Sequence, residues 1–272
     1  MQQNLHKISL SEWIDNLMAK GKLSFSLDEL RISFPTNSEA ALKQVLSRLS
    51  KKGKVISIHK GYYLLIPSQY KTWGILPPSV YLDGLMKYLN RPYYLGLLNA
   101  AAFHGAAHQQ PQEFFVITNF PQLRSVNKKG IKVNYISLNH IPVKLLEDRK
   151  TESGYLKISS PELTAIDIIH FEKKIGGLSR AATVLNELAD EIKTEKINTE
   201  FLNEISVVSI QRLGYILDKV LHKTELAEHL YNQCKEAKIK FYRKPLKEST
   251  EKKGFPFDEK WKIIINAEIE ID

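Results

Sequence analysis

The chain has 272 residues, of which 43% are hydrophobic, 25% charged and 10% aromatic; this globular composition excludes fibrous, disordered and disulfide-stapled chains. The length fits two domains of about 150 residues, or three smaller ones. The net charge of +9 is uneven, with +5 in residues 1–70, +6 in 71–160 and −2 in 161–272; this suggests either a basic front that meets nucleic acid with a near-neutral rear that need not, or a basic surface with no committed partner.

The first 66 residues predict three helices and a hairpin. Ser9 and Glu12 have the spacing of a capping box ahead of Leu10, Trp13, Ile14 and Leu17, and Gly21 closes that helix. Ser26 and Glu29 repeat the box before a short second helix that Pro35 stops. Ser38 caps a third helix whose Leu42, Val45, Leu46 and Leu49 form one apolar stripe, ended by Gly53. Two β-rich runs, Val55–Ile58 and Tyr62–Ile66, flank His59, Lys60 and Gly61 as a hairpin.

That order is a winged helix-turn-helix, so residues 1–68 are read as a DNA-binding domain. The face of the third helix opposite the stripe carries Lys43, Gln44, Ser47, Arg48 and Lys51. Arg and Gln pair bidentately with guanine and adenine edges, and Lys neutralises phosphates. Asn37 and Ser38 at the helix N-terminus are placed to donate to a phosphate, and His59 and Lys60 to anchor the wing. The competing use is a winged helix that serves protein contacts only.

Residues 69–78 have a linker composition, with Gly74, Pro77 and Pro78. Residues 79–272 are read as a second, α+β domain, with strands mainly in 113–158 and helices mainly in 160–238. In detail the chain predicts helices over Val80–Leu89 and Tyr94–His104. Strands follow at Phe114–Thr118, Ile131–Leu138, Val143–Leu146 and Tyr155–Ile158, with a basic loop at 119–130. A helix begins at Ser160-Pro161-Glu162, with N-cap, proline and acid in order, and runs to Gly176. Further helices are expected at Arg180–Asp190, Glu200–Glu204, Ser209–Leu221 and Glu225–Ala237. Trp261–Ala267 is β-like.

Signals for chemistry are weak. His104 and His108 have helical i, i+4 spacing but no third ligand follows, so no metal is expected. Glu172-Lys173-Lys174 resembles half of a nuclease core, but at a helix end rather than on a strand. No phosphate-binding, dinucleotide or nucleophile-elbow motif is present. A binding protein is expected, not an enzyme, with no cofactor. The single cysteine, Cys234, reads as an inert structural thiol. With no signal peptide or transmembrane run, a cytoplasmic location away from membranes is expected.

Four segments in order resemble a known family: the wing ending in Gly61-Tyr62-Tyr63, Tyr93–Gly105 (YYLGLLNAAAFHG), Ser159–Phe171 (SSPELTAIDIIHF) and Gln211–Asp218 (QRLGYILD). Together they are similar to AbiEi, the antitoxin of type IV abortive-infection toxin–antitoxin systems, along nearly the whole chain. The resemblance implies a repressor that binds inverted repeats in its own promoter. It also implies a C-terminal domain that counters a nucleotidyltransferase toxin encoded next door, with direct contact left open, and a role in phage defence. Where the family often has Arg before the wing glycine, this chain has Lys60, which keeps a phosphate contact but not a bidentate one. Two other readings compete: a stand-alone regulator whose rear domain binds a ligand or dimerises, and an enzyme centred in residues 80–160.

Overall fold

A computed structural model describes residues 8–106, 111–251 and 253–271. The fold is α+β, as expected. It contains a three-stranded sheet of order β1-β3-β2, a six-stranded sheet of order β6-β7-β5-β4-β9-β8 and a small sheet of order β10-β12-β11. The chain divides into two compact units. The first comprises residues 1–93, 118–137 and 148–156; the second comprises 94–117, 138–147 and 157–272.

The first unit opens with α1 (Leu10–Ala19), β1 (Ser24–Ser26), α2 (Leu27–Ser33), α3 (Glu39–Lys51), β2 (Val55–His59) and β3 (Tyr62–Leu65). Both capping boxes form: Glu12 N–H donates to Ser9 Oγ at 3.2 Å, and Glu29 N–H to Ser26 Oγ at 3.1 Å. The Ser38 side chain caps α3 through the Ala41 N–H at 3.2 Å. Ile14, Phe25, Leu30, Leu42, Leu46, Leu49, Val55 and Leu65 make one apolar cluster, with Val45 at its edge. This is the winged helix-turn-helix topology.

The strand β1 was not predicted. It pairs antiparallel with β3, Phe25 opposite Tyr63, and three residues ahead of a helix cap are too few to show a period. The 69–78 stretch, linker-like in composition, holds a 3₁₀ turn at Ser68–Tyr70 and leads into α4 (Pro78–Tyr88). Its Tyr70, Ile75 and Leu76 are buried with Ile58, Tyr62, Leu64, Tyr81 and Leu85 in a second cluster. The predicted basic loop contains the short strand β6 (Val126–Lys128), which pairs antiparallel with β7 (Ile131–Leu138).

The strand β4 (Tyr93–Leu95) corrects the helix expected from Tyr94; α5 (Leu97–Phe103) starts only after Gly96. A short wholly apolar run does not tell helix from strand by period alone. The strand β5 (Glu113–Asn119) falls where expected. Val143–Leu145 is a 3₁₀ turn behind Pro142 rather than a strand, and β8 (Leu146–Thr151) follows it in a charged stretch. The next strand is β9 (Gly154–Ser159), with Leu95 of β4 in parallel register with Ile158.

The helix α6 (Pro161–His170) has every residue from Pro161 to Ile169 buried. It breaks at Phe171, short of the predicted Gly176, and α7 (Glu172–Ile175) completes the span. The second unit continues through α8 (Leu178–Leu188), α9 (Thr199–Glu204), α10 (Val207–Tyr215) with a π-helical extension to Val220, and α11 (Thr224–Glu236). It ends in β10 (Lys244–Pro245), β11 (Phe257–Asp258) and β12 (Ile263–Ile264), a shorter strand than the predicted 261–267. Among the described residues no helix is long and apolar enough to cross a membrane.

Candidate nucleic-acid interface

The helix α3 has two distinct faces. Leu42, Leu46 and Leu49 are buried, whereas Lys43, Gln44, Ser47, Arg48 and Lys51 are all exposed. The structure therefore brings these five residues onto one open face. Asn37 and Ser38 are also exposed at its N-terminal end. Ser38 Oγ is already an acceptor for the Ala41 N–H, so only its hydroxyl proton is left to donate outward.

Lys43 is tied down. Its ammonium lies 2.6 Å from Glu39, whose carboxylate also meets Arg31 at 2.9 Å, and Arg31 reaches Asp28 at 2.8 Å. The Lys43 hydrogen bond and charge, then Arg31, hold Glu39 below the usual carboxylate range. A phosphate competes with Glu39 for Lys43. Among the described residues no carboxylate pairs with Arg48, Lys51 or Lys60, so these cations are available without that exchange.

The wing is a tight hairpin held by a residue that the sequence did not single out. Tyr88, at the end of α4, donates its hydroxyl to the Lys60 carbonyl at 3.2 Å and packs its ring on Tyr62 at 5.2 Å. His59 approaches the same ring, with centroids 6.4 Å apart, and its Nδ1 lies 3.1 Å from the Lys60 carbonyl. Half-buried His59 is thus a strut of the wing, and Lys60 is its exposed cation. Gly61 has φ +78°, and a Cβ there would stand 2.5 Å from the Tyr88 hydroxyl, so the tip admits only glycine without moving Tyr88.

In the second unit, the motif residues form buried polar contacts. Tyr94 donates to Asp167 at 3.0 Å, and His104 Nε2 meets the Ser159 carbonyl at 2.8 Å. Asn99 bridges the Glu113 carbonyl and the Phe115 N–H. Gln211 donates to the Tyr242 and Trp261 carbonyls, and Asp218 accepts from the Trp261 indole at 3.0 Å. Burial pushes the Asp167 carboxyl up to about 7, against the lowering effect of the Tyr94 bond. Burial also pushes the Cys234 thiol up to about 12, consistent with an inert residue.

His104 is therefore a buried structural histidine, and His108 lies outside the described residues. Glu172 is buried at the start of α7 rather than set on a strand. Among the described residues no group of three or more His, Cys, Asp or Glu is placed to hold a metal.

Residues 94–219 match the family described as the AbiEi antitoxin C-terminal domain. No curated protein matches the chain in sequence. Among solved structures, the crystal structure of the RV2827C protein from Mycobacterium tuberculosis is similar in fold, with a TM-score of 0.65. Its sequence identity is 15%, over 93% of this chain and 90% of that one. Three of the four segments singled out in the sequence lie in or across the matched region, and their side chains are the polar contacts just described. Over residues 94–219 the chain is thus similar to the C-terminal domain of AbiEi antitoxins.

Proposed function

We propose that this protein is the antitoxin of a type IV toxin–antitoxin pair and represses its own operon. The winged helix binds inverted repeats in the promoter, and the C-terminal domain counters a nucleotidyltransferase toxin encoded next door. The antitoxin role rests on the matched C-terminal domain. The DNA-binding role rests chiefly on one observation: Gln44, Ser47, Arg48 and Lys51 share the single exposed face of α3.

The roles divide as follows. Arg48 and Gln44 read base edges in the major groove. Lys51 and Lys43 neutralise phosphates, with Ser47 as a short hydroxyl donor beside them. Asn37 and Ser38 meet a phosphate at the N-terminus of α3, where backbone N–H groups add to the attraction. Lys60 lies on the backbone beside the groove, and His59 fixes its position through Tyr88.

The test separates the two functions within one full-length protein. Arg48→Ala should release a reporter driven by the protein's own promoter while still rescuing growth from the adjacent gene. Repression that persists undiminished would contradict the assignment of α3. Failure of the wild-type chain to rescue growth would contradict the antitoxin reading.

A further inference from the structure

The net charge divides between the units as it does along the sequence, +11 in the first and −2 in the second, and the first unit holds it in fewer residues than 1–160. The first unit carries 19 Lys and Arg against 8 Asp and Glu; the second carries 20 against 22. Residues 118–137, which fold into the first unit, contribute four cations and no acid. They form the hairpin of β6 and β7, whose turn is Lys129-Gly130.

This hairpin is fixed to the winged helix. The Lys128 ammonium donates to the Ser57 carbonyl, and Ser57 belongs to β2, the edge strand of the winged-helix sheet. Ile131 packs on the cluster that contains Ile58, Tyr62 and Leu64. The Lys129 side chain lies against Gly74, its Cε 3.7 Å from the place of a Cβ there. One lysine and one isoleucine thus tie this basic segment to the wing strand.

We propose that the β6–β7 hairpin is a second DNA-contacting element, which grips the sugar–phosphate backbone beside the segment bound by α3 and the wing. This rests on the DNA-binding reading above. Arg124, Ser125, Asn127, Lys129 and Gly130 are exposed and offer cations and amide or hydroxyl donors, and the exposed rings of Trp73 and Phe120 lie outside this 124–130 stretch. Such a surface suits phosphates, which need charge and donors. A protein partner would need an apolar or aromatic anchor at the centre of its interface. Arg124 and Lys129 are the phosphate ligands, and Lys128 is the positioning residue that holds the hairpin to β2.

The test is a titration of the full-length protein against its own promoter over a series of salt concentrations. Arg124→Gln/Lys129→Asn removes both charges, and Asn accepts the left-handed φ of +52° at position 129. The variant should have a log K against log salt slope shallower by about two units, since each phosphate contact contributes about 0.9. Its preference for the promoter over shuffled DNA should be unchanged. Arg124→Gln alone, outside the turn, should lose about one unit and keeps the test intact if the double variant folds poorly. An unchanged slope in a variant that binds as wild type would overturn the hairpin contact while leaving the α3 reading in place. If the wild type failed to bind any duplex, both would fall together.

Discussion

Asp167 lies wholly buried on α6 with the Tyr94 hydroxyl as hydrogen-bond donor, and its carboxyl is pushed up to about 7. An unfolded aspartate titrates near about 3.9. Below about pH 4 both states hold the proton, and the shift has no effect on stability. Between about pH 4 and 7 only the unfolded chain gives up its proton, so stability falls, by an amount of order 4 kcal/mol, and levels off above that range. Asp167→Asn keeps an acceptor for Tyr94 and removes this fall. The variant should therefore exceed the wild type in urea midpoint at pH 8 and lose that advantage at about pH 4; parallel pH profiles would contradict the account. Tyr88 acts at the same scale on the other unit. Tyr88→Phe removes the hydroxyl that meets the Lys60 carbonyl and should lower promoter affinity with little change in melting temperature. The type of each candidate residue on α3 was legible in the sequence. The engagement of Lys43 by Glu39 and the support from Tyr88 were not, because each depends on where side chains meet in space.

The helices at the N-terminus were legible because their ends are written locally. Ser9 with Glu12, and Ser26 with Glu29, satisfy the same N–H groups that any helix start leaves open. Ser38→Ala should thus cost about 1 kcal/mol of stability by removing the cap of α3, measured by denaturant unfolding. Strands were less legible. The three-residue β1 and β4 are too short for a period of two to show, and β8 is charged throughout much of its length. The QRLGYILD segment read only as a helix, yet its role is to seat Trp261. A Cβ on Gly214 would stand 2.1 Å from the Trp261 ring. Gly214→Ala should destabilise the protein by about 1–3 kcal/mol, or more if the ring is expelled. Melting temperature and tryptophan fluorescence would report it, and an unchanged spectrum with unchanged stability would refute the seating.

At the scale of the molecule, charge read along the chain assigned +6 to residues 71–160 without a role. The fold joins 118–137 and 148–156 to residues 1–93, contacts of long sequence separation that no local pattern announces. The division of labour follows from this arrangement: a strongly basic unit holds the α3 face, the wing and the second hairpin, and a near-neutral unit holds most of the matched antitoxin domain. The central claim is that α3 reads the promoter. Fluorescence anisotropy of the protein's own promoter DNA, titrated at fixed salt with wild-type and Arg48→Ala proteins, tests it most directly. The account predicts preference for the promoter over a shuffled duplex, and a loss of about 1–3 kcal/mol in Arg48→Ala that falls on the promoter alone. Equal binding of both duplexes by the wild type, or equal promoter binding by both proteins, would contradict it.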